Sequence, residues 1–195
     1  MVSLMKKSVL AGTMIAVASL IYVNCENRVV GAVLFSVGLL VIIHLGFYLY
    51  TGRIGFVRNI RQFALTLVIF LFNCIGCFIL YPYTSDVAVS IIQSKLSTSI
   101  GIIFMNSVIC GILIFIAVAC KNNLFTVLCV SGFILCGAEH SIADVCYIVL
   151  AREFTLKSAM FMFIVLIGNA VGSILFSLMI SDNNKNNLQK RRING

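Results

Sequence analysis

Glu139 and His140 stand side by side in an apolar stretch that reads Phe133-Ile-Leu-Cys-Gly-Ala-Glu139-His140-Ser-Ile-Ala-Asp144. Histidine exchanges a proton close to working pH, its unperturbed pKa being about 6.5. Ionisable groups at membrane depth are costly unless they face a cavity or a partner, so they mark a functional site. Hydrolytic chemistry lacks its other parts. A zinc hydrolase needs several ligands, yet His44 and His140 are the only histidines and no H-E-x-x-H occurs. No G-x-S-x-G nucleophile motif is present either. An intramembrane enzyme built on Glu139 and His140 is therefore not expected, nor is a cofactor or a metal. His44, alone on an apolar segment, reads as structural.

The elements that must position these groups are membrane helices. Charged residues make up 10% of the chain and hydrophobic ones 61%, too little polar material to cover a soluble domain. Apolar segments run over roughly 8–24, 29–50, 62–81, 98–120, 124–151 and 158–180. Each crossing takes about 20 residues, so the 195 residues form a single domain of six transmembrane helices. Short polar stretches separate the segments, the longest running from Tyr83 to Lys95. Lys6-Lys7 followed by an apolar run without a small-residue cleavage site reads as a retained first helix.

Counting segments alternately from a cytoplasmic N-terminus, ten of the 14 basic residues fall inside, leaving Arg28, Lys95, Arg152 and Lys157 outside. Both ends are thus expected in the cytoplasm, with the basic tail 181–195 as a topology anchor at the membrane surface. The net charge of +8 is a matter of topology and not of nucleic-acid binding. The eight cysteines lie mostly in apolar segments and read as small buried hydrophobes, Cys74-Ile-Gly-Cys77 included.

A faint internal repeat adds an architecture. The third segment contains Asn73-Cys-Ile-Gly76 and the sixth Asn169-Ala-Val-Gly172. Each follows a segment interrupted by polar residues, Thr51-Gly52-Arg53 near the second and Glu139-His140-Ser141 within the fifth. Three helices followed by three similar ones have opposite orientation, the plan of inverted-repeat transporters with broken helices at the bilayer midplane. The expected fold is all-α, with helices 2 and 5 interrupted. Gly76 and Gly172 also suit close helix packing.

Several stretches resemble the formate/nitrite transporter family along the whole chain. Lys7-Ser-Val-Leu-Ala-Gly12 is similar to the family's opening K-A-I-L-A-G, and Gly31 through Leu49-Tyr-Thr-Gly52 to its second segment with the L-F-T-G loop. Glu139-His140-Ser-Ile-Ala143 resembles G-F-E-H-S-x-A-N, and Gly168-Asn-Ala-Val-Gly172 resembles G-N-x-x-G. The resemblance implies a pentameric channel of aquaporin-like protomers in the inner membrane, passing a small monovalent anion of the formate, nitrite or hydrosulfide type together with a proton. It makes His140 the central histidine and Thr51 the loop threonine facing it. Phe35, Leu39, Leu49 and Phe133 become pore constrictions, and Lys95 the vestibule lysine. Gly111 falls where the family carries a pore-lining asparagine.

Departures from the pattern are Gly111 itself, Ala138 for an aromatic residue, Asp144 for the asparagine of A-N, and Arg53 for that of T-G-N. Asp144 and Arg53 are candidates to pair with each other or with other polar groups, the sequence revealing no partner. Glu139 points away from His140 on a helix and orients neighbouring helices or subunits. A bare anion faces a large desolvation penalty between Phe35, Leu39 and Phe133, so crossing as the neutral acid is easier. Lys95 would concentrate the anion at the mouth, with the proton arriving from bulk water or through His140. The alternative is a non-transporting structural or regulatory family member.

Overall fold

The computed structural model describes residues 1–193, with side chains described through Ser181; the side chains of the expected basic tail lie outside the described residues. Nine α-helices follow one another among the described residues: α1 (Val2–Val23), α2 (Arg28–His44), α3 (Tyr50–Ile54), α4 (Ile60–Cys77), α5 (Asp86–Ser97), α6 (Ile100–Ala119), α7 (Asn123–Leu135), α8 (Ser141–Ala151) and α9 (Leu156–Ile193). A short 3-10 turn, Phe78–Leu80, extends α4. Helices α1, α4 with its extension, α6, and α9 through Ser181 are each long and apolar enough to cross a membrane.

The polar stretches between apolar segments serve as helix starts. The side-chain oxygen of Asn27 accepts from the backbone N–H groups of Val29 and Val30, and Asn59 does the same for Gln62. Asn122 accepts from Leu124 and Phe125. Each cap satisfies amides that the first helical turn leaves without partners, which matters most where no water is present.

Two expected boundaries move. The segment 29–50 does not run through to Tyr50, because α2 ends at His44. The stretch Tyr83 to Lys95 is not a loop but mostly the helix α5. Ser85 caps it by accepting from the Ala88 amide, and Ala88 and Ile92, one turn apart, are fully buried. That spacing gives a short helix one apolar face with which to pack on α8.

Packing falls into two similar sets. α1 lies against α2 and α4, while α6 lies against α7 and α9. The sets meet where α2 packs on α7, and the short helices α3 and α8 are wedged against members of both. Outward positions are apolar, among them Leu71, Ile75, Met105, Leu128, Phe163 and Leu175, as suits a surface facing lipid or other copies. Of the cysteines, Cys77, Cys110, Cys129 and Cys146 are buried as expected, whereas Cys120 and Cys136 are exposed on the isolated chain.

Candidate functional site

The site is assembled around two non-helical linkers, residues 45–49 and 136–140. Each has as its second residue a glycine with left-handed backbone, Gly46 (φ 62°) and Gly137 (φ 72°), a conformation that side chains with a Cβ seldom adopt. The Phe47 amide donates to Ile42 O and the Gly46 amide to Ile43 O; Ala138 donates to Phe133 O and Gly137 to Ile134 O. These are matching Schellman ends, so α2 and α7 stop in the same way. Sequence reading placed the breaks at the polar residues beyond; the signal it passed over was the glycine two residues after each helix.

Beyond each glycine the backbone is held by a buried asparagine. The Asn73 amide nitrogen donates to Ser8 O and Tyr48 O, while its oxygen accepts from the Tyr50 N–H. Asn169 donates to Ser107 O and Glu139 O and accepts from the Ser141 N–H. Extended backbone at this depth has no water to turn to, and these two side chains supply its hydrogen bonds. The glycines of the N-x-x-G motifs allow the close helix crossings. A Cβ at Gly76 would stand 2.2 Å from Val9 O, and one at Gly172 2.1 Å from Val108 O.

Two cavities adjoin the second linker and a third adjoins the first. The first, about 670 Å³, is lined by Tyr22, Arg28, Lys95, Asn106 and Glu139 among others. A chamber of about 80 Å³ comes next, bounded by Lys95, Phe133, His140, Asp144 and Tyr147. The third, about 610 Å³, lies against Leu39, Leu49, Gly52, Arg53 and Lys121. Between chamber and third cavity the side chains close up. Phe35 meets Phe133 edge to face with ring centroids 5.9 Å apart, and Phe35, Leu39, Leu49 and Phe133 are all at most 2% exposed.

His140, at the end of the second linker, and Thr51, on the helix α3 that follows the first, sit at this closure, with Thr51 Oγ1 2.9 Å from His140 Nε2. The imidazole stacks on Phe133, centroids 5.3 Å apart. His140 also caps α8: its Nδ1 accepts from the Ala143 N–H at 3.1 Å. An accepting Nδ1 leaves the ring proton on Nε2, which donates to Thr51. The threonine hydroxyl hydrogen is then free for a passing ligand.

The charged residues gather on the other side of Phe133. Lys95, in the last turn of α5, pairs with Glu139 Oε2, and its Nζ lies 3.1 Å from Asp144 Oδ1. Asp144 therefore meets Lys95 and not Arg53, which lies over the Tyr48 ring, 4.3 Å from its centroid at the other end. Chain distance cannot reveal this; it depends on α5 being a helix that packs on α8. Gly111 is also displaced from expectation. It sits at the α6–α9 crossing, where a Cβ would be 2.4 Å from Asn169 O, and its carbonyl accepts from the Ser173 hydroxyl. An asparagine would not fit there without parting the helices, and Gly111 lines none of the three cavities. His44 borders the third cavity, its Nδ1 2.8 Å from Leu40 O.

Helices of this length and composition, wrapped around buried polar linkers, define a multi-pass membrane protein. The sequence profile of the formate/nitrite transporter family matches residues 1–181, and the chain belongs to that family. Among solved structures, one described as an FNT family ion channel is similar at 20% identity, with 90% of this chain and 87% of the other covered and a TM-score of 0.80. A pentameric formate channel with formate bound is similar at 19% identity, 96% of each chain being covered, with a TM-score of 0.72. No curated protein sequence matches the chain.

Proposed function

We propose that this chain is a transmembrane channel for a small monovalent anion of the formate, nitrite or hydrosulfide type, crossing its apolar closure as the neutral acid. The observation that carries the reading is the buried Thr51–His140 pair, 2.9 Å apart, standing between cavities on either side. On this reading residues 1–195 form one channel domain with six crossings in an inverted three-plus-three arrangement. The helix pairs α2–α3 and α7–α8 are then the interrupted second and fifth crossings. Their matching glycine ends and matching asparagines support that arrangement, as does the likeness to a channel whose structure is pentameric. We take the assembly to be a homopentamer in the inner membrane with both termini cytoplasmic.

The chemistry follows from desolvation. Even after relaxation an unpaired ion in an apolar passage costs several kcal/mol, and Phe35, Leu39, Leu49 and Phe133 offer it no donors. A neutral acid avoids most of that cost. Lys95 and Arg28 attract the anion into the first cavity, the anion takes a proton before Phe133, and HX passes the closure. At its centre the Thr51 hydroxyl, with its oxygen already accepting from His140, donates to the oxygen or sulfur of HX. Beyond Leu49 the acid re-ionises in the wide Arg53-lined cavity.

Uptake into proteoliposomes tests this, with formate, nitrite and hydrosulfide offered separately and His140→Ala beside the wild type. We expect saturable uptake of at least one of them and a loss of roughly a hundredfold in the variant. Absence of uptake for all three would favour a non-transporting member of the family, a reading with one point in its support: Lys95 is already engaged by two carboxylates.

A further inference from the structure

We propose that Asp144 is the proton donor of this channel, giving its carboxyl proton to the anion in the chamber ahead of Phe133. The inference rests on the transport reading above and names the residue that supplies its proton.

The starting point is a count of charges. Lys95 contacts both Glu139 and Asp144, and the three side chains are 14%, 3% and 1% exposed. One ammonium balances one carboxylate. The other carboxylate is neutral only when it carries a proton, and two carboxylates at one buried cation do not readily share a site as anions. Geometry separates their roles. Glu139 makes the hydrogen bond with Lys95 and lines the wide first cavity. Asp144 lines the small chamber with His140 and Phe133; its Oδ1 meets Lys95 Nζ at 3.1 Å, while its Oδ2 has no hydrogen-bond partner among the described residues. Tyr147 lines that chamber too, and its buried hydroxyl is likewise without a partner. Buried polar atoms left unpaired around a cavity are atoms waiting for a ligand.

His140 is poorly placed to give the proton. Nδ1 is occupied by the Ala143 amide and the Nε2 proton is directed at Thr51, past the chamber. Asp144, one turn further along α8, commits only Oδ1, to Lys95, and leaves Oδ2 unpartnered among the described residues. The step balances as follows. The O–H bond of the Asp144 carboxyl breaks, a bond forms between that hydrogen and X⁻, and neutral HX leaves toward Phe133. Asp144 remains as carboxylate and is reprotonated from hydronium in the first cavity.

The groups facing Asp144 are few. Lys95 comes from α5, Glu139 and His140 from the linker, Tyr147 from α8 itself, Tyr22 from α1, and Arg28 from the start of α2. Cys110 of α6 lies within its electrostatic reach, α4 brings Cys77 to the Ile142 carbonyl, and α9 presents the neutral Asn169. Lys95 and Arg28 hold the incoming anion beside the donor.

Formate flux into proteoliposomes from about pH 5 to about pH 8 tests the assignment, with wild type beside Asp144→Asn and Asp144→Glu. Without a donor, flux must follow the neutral acid in bulk, which falls about tenfold for each pH unit above its pKa. With a donor in place the wild type should fall no more than about threefold per unit, Asp144→Asn should revert to the tenfold slope, and Asp144→Glu should restore the shallow one. A wild-type slope that is already tenfold overturns the proposal whatever the variants do, so failure of a variant to fold does not shield it. An Asp144→Asn profile parallel to wild type, or faster at neutral pH, also overturns it, the aspartate then merely offsetting Lys95. Absence of wild-type flux for formate, nitrite and hydrosulfide would sink the transport reading itself, and this assignment with it.

Discussion

The linkers at 45–49 and 136–140 have the same backbone and different contents. Each follows a Schellman glycine, each is held by one asparagine through three hydrogen bonds, and each leads into a short helix. The first delivers Leu49 and Thr51 to the closure, with neutral Tyr48 and Tyr50 around them. Its counterpart delivers His140 with Glu139 before it and Asp144 after it, all buried. Scaffold is repeated, then, while buried carboxyl and imidazole groups are confined to one copy, the first carrying an exposed Arg53 instead. On the proposed reading one copy suffices, because a proton need be given on only one side of an apolar closure. Charges in both linkers would add a second desolvation cost without a second function.

Four experiments break or sharpen that comparison. The strongest tests the shared scaffold. Gly76→Leu and Gly172→Leu each drive a side chain into a backbone carbonyl oxygen of the neighbouring helix. Each should cost more than about 4 kcal/mol and yield no monodisperse protein in detergent. If either half tolerates the change, the two crossings are not equivalent.

Next come the asparagines. Asn73→Ala and Asn169→Ala each remove three buried hydrogen bonds, about 1 kcal/mol apiece, so their melting temperatures in detergent should fall by similar amounts. Only Asn169 holds the Glu139 carbonyl, and only its variant should also alter the pH dependence of flux. Equal flux phenotypes would argue against chemistry confined to the second linker.

Thr51→Val keeps the shape and removes the acceptor for His140 Nε2–H. An unpaired buried donor costs about 1–3 kcal/mol, so flux should fall roughly tenfold with the fold intact by size-exclusion profile. The smallest effect belongs to Leu49→Ala. Widening an apolar closure should raise flux about two- to threefold, and a fall instead would place the narrowest point elsewhere.

Much of this was legible in the residues. Composition and segment length specify a helical membrane protein, because backbone in lipid must satisfy itself and apolar side chains must clothe it. The E-H-S-I-A element and the paired N-x-x-G motifs directed attention to His140, Asn73 and Asn169, since an ionisable or amide group in an apolar run needs a reason. Gly46 and Gly137 were legible too, as helix stops, though easily passed over among residues that elsewhere only ease packing.

Other features were decided by tertiary contact. Ala88 and Ile92 are buried because α5 packs its apolar face on α8. That docking carries Lys95 to Asp144 and leaves Arg53 at the far end. Gly111 belongs to a helix crossing because Asn169 O occupies the space where its side chain would be. Periodicity and hydropathy are local sums along the chain, so they determine which elements form and which faces are apolar. Which buried charge meets which depends on how helices distant in sequence settle against one another, and that alone sets two carboxylates on one lysine.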